Sequence, residues 1–213
     1  MRRRDFIVVL VAGGMLSACG RKAKLPPVPP GASVLAFGDS VTFGVGAPPG
    51  EDWPSRLARS TGWKVRNAGV SGDTAEAGKT RLQPLLDELQ PALVIVEIGG
   101  NDFLRRRPPQ AVKEDLRQIV RDARRSSAQV VLVAVPELSL LGALARRPAD
   151  APLFRELAEE EHIPLVSEVF SDILAHPELC ADQIHPNANG YQQMASGILA
   201  RLKLLGLAPA SAS

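Results

Sequence analysis

Two runs, LVIVEI at residues 93–98 and VVLVAV at 130–135, constrain this chain more than anything else in it. Each is short, almost continuously apolar and rich in β-branched residues. A strand with one wet face alternates between apolar and polar residues. A strand without alternation is buried on both faces, as in a parallel sheet covered by helices. Further short runs of strand character lie at 33–37 (SVLAF), 64–67 and 164–167. Between the runs are amphipathic stretches at 53–60, 75–89, 110–126 and 151–161, and a last one at 188–205 that Gly206 closes as a C-cap. Leu82, Leu85, Leu86 and Leu89 share one helical face, as do Leu116, Ile119, Val120 and Ala123. The order βαβαβαβαβα predicts a three-layer α/β/α sandwich around a five-stranded parallel sheet. Residues 31–206 are enough to bury such a core, with 207–213 expected to fray.

Ligands of such sheets bind beyond the carboxyl ends of the strands. Four segments there carry candidate chemistry. The first run leads into Phe37-Gly38-Asp39-Ser40-Val41-Thr42-Phe43-Gly44, which puts a serine at the mouth with backbone N–H groups following it. The second leads into Asn67-Ala68-Gly69-Val70-Ser71-Gly72-Asp73-Thr74, whose glycines suit an anion-binding turn. Gly99-Gly100-Asn101-Asp102 follows the third, and an asparagine there can aim an amide N–H at a developing oxyanion. Asp182-Gln183-Ile184-His185-Pro186-Asn187 precedes the last helix. Its Asp and His, three apart, can meet on one side of a turn, so that the carboxylate holds the imidazole's tautomer. Singly each is an ordinary cap or turn; all four in order at one edge are not.

These blocks resemble those of the SGNH/GDSL hydrolases. Gly38-Asp39-Ser40, Gly72, Gly99-x-Asn101-Asp102 and Asp182-x-x-His185-Pro186 carry the likeness, along with Trp53-Pro54 and Arg105, and it spans most of residues 33–205. The bacterial arylesterase, thioesterase I and lysophospholipase branch is the most similar. The resemblance implies a flavodoxin-like sheet with Ser40 as nucleophile, His185 as general base and acid, and Asp182 as its orienting carboxylate. It further implies an oxyanion hole formed by the Ser40 and Gly72 N–H groups and the Asn101 side chain, with no metal or cofactor. The chemistry is coherent on its own terms. Serine needs an adjacent base to become nucleophilic, and histidine is the side chain suited to that near neutral pH.

Other patterns fail on spacing. There is no Gly-x-Ser-x-Gly elbow. Gly78-Lys79-Thr80 lacks the P-loop's earlier glycine, because residue 73 is Asp. Gly44-Val45-Gly46 lacks the third glycine of a dinucleotide fingerprint. His162, His176 and His185 are too scattered for a zinc motif. Cys180 reads as an inert small residue, Asp39 and Asp102 as braces of their loops, and Arg105-Arg106-Arg107 as a solvated basic turn. Leu138, Leu140, Leu141 and Leu144 either line an acyl groove or pack a loop.

The amino terminus reads as an address. Arg2, Arg3 and Arg4 precede an apolar stretch of eleven residues, 6–16. A membrane span needs about twenty, so residues 1–18 are a signal peptide rather than an anchor. Leu16-Ser17-Ala18-Cys19 resembles the lipobox of bacterial lipoproteins, which implies acylation of Cys19 and cleavage before it. Gly20 in place of Asp then implies the outer membrane, with the domain facing the periplasm. The alternative is a soluble secreted protein with a coincidental cysteine. Arg3-Arg4-Asp5-Phe6-Ile7 also resembles a twin-arginine signal, and a general-secretion leader fits equally. Residues 20–30, with four prolines, read as a stiff polyproline II tether.

Beyond residue 24 the chain has 19 basic against 22 acidic residues, which excludes the basic excess of a nucleic-acid binder. The expected partners are a small acyl-ester substrate and, through Cys19, a membrane; the chain is expected to be a monomer. The function expected is carboxylic ester hydrolysis, extending to thioesters or lysophospholipids. The alternatives are removal of O-acetyl groups from envelope polysaccharide and non-catalytic binding of an acyl ligand.

Overall fold

The computed structural model describes residues 25–137 and 148–209. Strands β1 (Ser33–Gly38), β2 (Lys64–Gly69), β3 (Leu93–Glu97), β4 (Gln129–Val133) and β5 (Leu165–Val166) form one parallel sheet in the order β2-β1-β3-β4-β5. Both faces of the central strands are closed to solvent: Val34 through Phe37 and Leu93 through Val96 are fully buried. Their apolar continuity is thus explained by helices on both sides.

The helices are α1 (Ser40–Phe43), α2 (Trp53–Thr61), α3 (Ala75–Leu89), α4 (Gly100–Leu104), α5 (Pro109–Arg125), α6 (Pro152–Glu160), α7 (Val169–Leu174) and α8 (Ala188–Leu204). One layer is built where α3 packs on α5 and α5 on α6; the other where α2 and α7 pack on α8. The buried stripe of α5 is Val112, Leu116, Ile119, Val120 and Ala123, the helical spacing read from the sequence. Its polar side is tied to α6: Lys113 reaches Glu156 and Glu160, and Arg117 reaches Glu160 and Glu161.

The predicted strands and long helices are all present, within a residue or two at most ends. The sequence reading omits α1, α4 and α7, which are too short to show a helical period. The C-cap of α8 is Leu205, and Gly206, at φ 81°, follows it with its N–H on the Lys203 carbonyl. Two terminal segments are also more ordered than expected. Leu207 and Ala208 are buried rather than frayed. The Pro-rich stretch is not free as far as residue 30. Val28 is buried, its N–H donates to the Leu207 carbonyl at 2.8 Å, and its own carbonyl accepts from Trp63 Nε1 at 3.1 Å. Cys19, the leader and the leucines at 138, 140, 141 and 144 lie outside the described residues. No helix among the described residues is long and apolar enough to cross a membrane.

Val28→Ala removes packed methyl groups from this strap and is expected to destabilise the domain by about 1–2 kcal/mol. Thermal unfolding should show Tm lower by roughly 2–8 °C. Turnover below the transition should be unchanged, because the strap lies at the other end of the sheet from Ser40.

Candidate active site

The order β2-β1-β3 reverses the direction of winding beside β1, which opens a crevice between the carboxyl ends of β1 and β3. Ser40 follows one strand and Asn101 the other. Asp39 caps α1 by accepting from the Val41 N–H at 3.0 Å, which turns the chain so that Ser40 opens the helix. Gly38 is required just before it. A Cβ there would run into Thr42 Oγ1 and the Glu97 carbonyl oxygen.

Across the crevice, the loop before α8 brings in His185. His185 Nε2 lies 2.9 Å from Ser40 Oγ, and His185 Nδ1 lies 2.7 Å from Asp182 Oδ2. The other carboxylate oxygen, Asp182 Oδ1, accepts the Ile184 and His185 N–H groups at 2.9 and 2.8 Å. Burial would raise the Asp182 pKa, but the His185 ring and those two N–H groups together hold it below its ordinary value. An ionised Asp182 accepts the Nδ1 proton, which leaves Nε2 as the lone pair facing Ser40. Among the described residues neither the Ser40 N–H nor the Gly72 N–H has a hydrogen-bond partner. Asn101 Nδ2 donates to the Asp73 carbonyl at 2.9 Å and has a second proton to offer. A hydroxyl poised on a base, beside unpartnered donors, suits acyl transfer through a tetrahedral oxyanion.

Residues 36–193 match the model of the GDSL-like lipase/acylhydrolase family. The chain belongs to that family. A relative from Escherichia coli K12, thioesterase 1/protease 1/lysophospholipase L1, is 33% identical over 180 residues, covering 81% of this chain and 84% of the relative. An arylesterase of Vibrio mimicus is 31% identical over 161 residues, covering 72% and 79%. The crystal structure of TesA superposes with a TM-score of 0.70 at 29% identity, over 81% of this chain and 99% of that one. This GDSL-family chain is a carboxylic ester hydrolase.

Ser40, Gly72, Asn101, Asp182 and His185, read from the sequence, lie at this edge, Cys19 lies outside the described residues, and the fold adds others that carry no local motif. Arg81, on α3, joins three parts of the crevice. Its Nε meets Asp73 Oδ2 at 2.5 Å, Nη1 donates to the Ala68 carbonyl at 2.8 Å and Nη2 to the Gly38 carbonyl at 2.7 Å. Its guanidinium also lies over the Phe37 ring, 4.2 Å from the centroid. Arg105 Nη2 donates to the Gly72 carbonyl at 3.0 Å. The Gly72 loop is therefore held by Arg105 at the Gly72 carbonyl, by Asn101 at the Asp73 carbonyl and by Arg81 at the Asp73 carboxylate. Arg105, part of the family likeness and expected in a solvated basic turn, instead holds the Gly72 carbonyl. Arg81 sits mid-helix, where no local pattern marks it.

Tyr191 on α8 donates to the Val45 carbonyl at 2.7 Å, and a Cβ on Gly46 would meet the Pro186 carbonyl and His185 Cβ. These contacts hold the Ser40 turn against the His185 loop. Asp102 braces its loop as expected, accepting from the Ala75 N–H at 2.8 Å and pairing with Arg107 at 2.6 Å. Arg107 is thus paired within the fold, reaching Asp115 as well at 2.9 Å.

Beneath Ser40 are two buried acids. Burial pushes Asp39 up to about 6, although the Val41 N–H and His185 work against it. Burial, then the Asp39 carboxylate, push Glu97 well above its ordinary value. Glu97 Oε2 accepts from Thr42 Oγ1 at 2.6 Å, while the buried Oε1 has no partner among the described residues. Cys180 is raised by burial and by Asp182 and Glu178, as befits an unreactive thiol. Among the described residues no group of three or more His, Cys, Asp or Glu could hold a metal ion. A cavity of about 230 Å³ between α4, α5 and α6 touches neither Ser40 nor His185, and its Lys113 is already paired with two glutamates.

Two outcomes are expected. Arg81→Met frees the Gly72 loop, so kcat should fall about ten- to a hundredfold with KM changed less than about threefold in steady-state kinetics. The Asp39 pKa is raised in the fold from 3.8 to about 6, so its contribution favours folding below about pH 4 and is lost as pH rises through about 6. Asp39→Asn keeps the cap acceptor and removes that cost. Urea unfolding should show it stabilised by about 1–3 kcal/mol near pH 8, with a flatter pH dependence between 4 and 7.

Proposed function

We propose that this ester hydrolase is a lipid-anchored serine esterase of the cell envelope, with Ser40, His185 and Asp182 as its catalytic triad. The observation that carries the triad is the unbroken line from Ser40 Oγ through the His185 ring to Asp182, with contacts of 2.9 and 2.7 Å. His185 Nε2 takes the Ser40 proton as Oγ attacks the ester carbonyl. The oxygen becomes an anion facing the Ser40 and Gly72 N–H groups and the Asn101 amide. Collapse expels the alcohol, protonated by His185, and leaves an acyl-Ser40 ester. Water, deprotonated by His185, attacks that ester and releases the acid. One well-placed donor contributes about 3–4 kcal/mol to stabilising such an anion.

The names of the relatives favour thioesters and lysophospholipids as further substrates of the same site. A binding-only role does not call for a poised serine, and the 4% aromatic content gives little for stacking a polysaccharide. The leader and Leu16-Ser17-Ala18-Cys19 support acylation of Cys19 and a periplasm-facing place on the outer membrane.

Purified protein and its Ser40→Ala variant on p-nitrophenyl esters from acetyl to palmitoyl test the catalytic reading. Wild type should turn over with a defined chain-length optimum. Ser40→Ala should lose at least about a thousandfold in kcat while keeping its thermal stability. Turnover near wild type in the variant would refute the nucleophile. Cys19→Ala should move the protein from the membrane to the soluble fraction, and membrane retention would refute the anchor.

A further inference from the structure

The strap that begins at Leu25 is fixed at the end of the domain opposite the active site. Gln129 Nε2, at the start of β4, donates to the Pro26 carbonyl at 2.8 Å. The Val28 carbonyl accepts from Trp63 Nε1, the Gly31 N–H donates to the Gly62 carbonyl at 2.8 Å, and the Ala32 carbonyl accepts the Lys64 N–H at 2.9 Å. Gly62, Trp63 and Lys64 lead into β2, so these partners lie where strands begin. Ser40, Gly72 and Asn101 lie where β1, β2 and β3 have ended. In a parallel sheet those are opposite poles.

The consequence rests on the proposed acylation of Cys19. Six residues, 19–24, then separate the lipid from the strap. Even fully extended they span about 20 Å. A compact domain of this size has a radius of gyration of about 16 Å and is therefore about 40 Å across. The leash is about half the distance from the base of the domain to its mouth. Tilting can swing the mouth sideways but cannot bring it onto the anchoring leaflet. We infer that the anchored enzyme stands base-down and hydrolyses acyl esters dissolved in the aqueous phase, not the lipids of the leaflet that holds it. The anchor then sets where the enzyme works without supplying its substrate.

The test compares the native leash with one lengthened by about twenty Gly/Ser residues after Gly20, which is enough to let the domain turn over. The acylated protein is reconstituted at low density in phosphatidylcholine vesicles. It is offered one fluorogenic ester in two forms: dissolved in water, or fixed to a dialkyl lipid in the same vesicle. Both proteins should cleave the dissolved ester at equal rates, while the lengthened one cleaves the fixed ester at least about tenfold faster. Equal rates on the fixed ester would overturn the orientation. If the purified protein carries no acyl chains, the anchor reading fails separately. In that case the thiol of a chain beginning at Cys19, in a Cys180→Ala background, is coupled to a maleimide lipid. That sets the same leash length, and the same comparison decides the orientation. Loss of activity on the dissolved ester in both proteins would instead sink the esterase reading, and this inference with it.

Discussion

Strands β1 and β3 must be covered on both faces, and the rest of the molecule is arranged around that requirement. Their residues carry no polar alternation, so either face left open would expose a row of Val, Leu, Ile and Phe to water at about 25 cal/mol per Å². Parallel pairing with helical crossovers satisfies both faces, and its connections are right-handed almost without exception. Every strand therefore ends at the same edge. Because β1 lies between β2 and β3, the crossovers on its two sides part there. The crevice that holds Ser40, Asn101 and His185 is a by-product of covering the sheet.

The site sits in costly surroundings. The turn carrying Ser40 rests on Asp39 and Glu97, two buried carboxyls that cannot both ionise without penalty, and one oxygen of Glu97 has no partner among the described residues. Such groups oppose folding. They are kept in place by Thr42, the Val41 N–H, and the close approach that Gly38 allows. The arginines work in the opposite sense. Arg81 takes up carbonyl oxygens at the ends of β1 and β2, and Arg105 that of Gly72, so that these turns are braced.

The two poles of the domain are built differently. The rim is made of short helices and turns held by long side chains. The base is closed by main-chain hydrogen bonds from the strap and by Val28 and Leu207 packed into the core. The face of α5 and α6 away from the sheet is a network in which Glu161 serves Arg117 and Arg121. That network joins helices of one layer and has no bearing on the chemistry.

The sequence alone makes the fold class legible, because strands without alternation are incompatible with a wet face. It also determined which residue types stand at the strand ends, since Gly38-Asp39-Ser40, Gly99-x-Asn101-Asp102 and Asp182-x-x-His185 are local patterns. The three-dimensional fold is what brings Ser40 to His185 across 145 residues, because that contact depends on strand order and on the packing of α8. It alone decided the parts played by Arg81, Glu97 and Tyr191, whose partners are remote in sequence. The docking of Val28 was illegible for a related reason: prolines on either side favour an extended chain whether or not a surface lies beneath it. Local patterns report local geometry, while long-range hydrogen bonds and burial exist only once the sheet has brought its edges together.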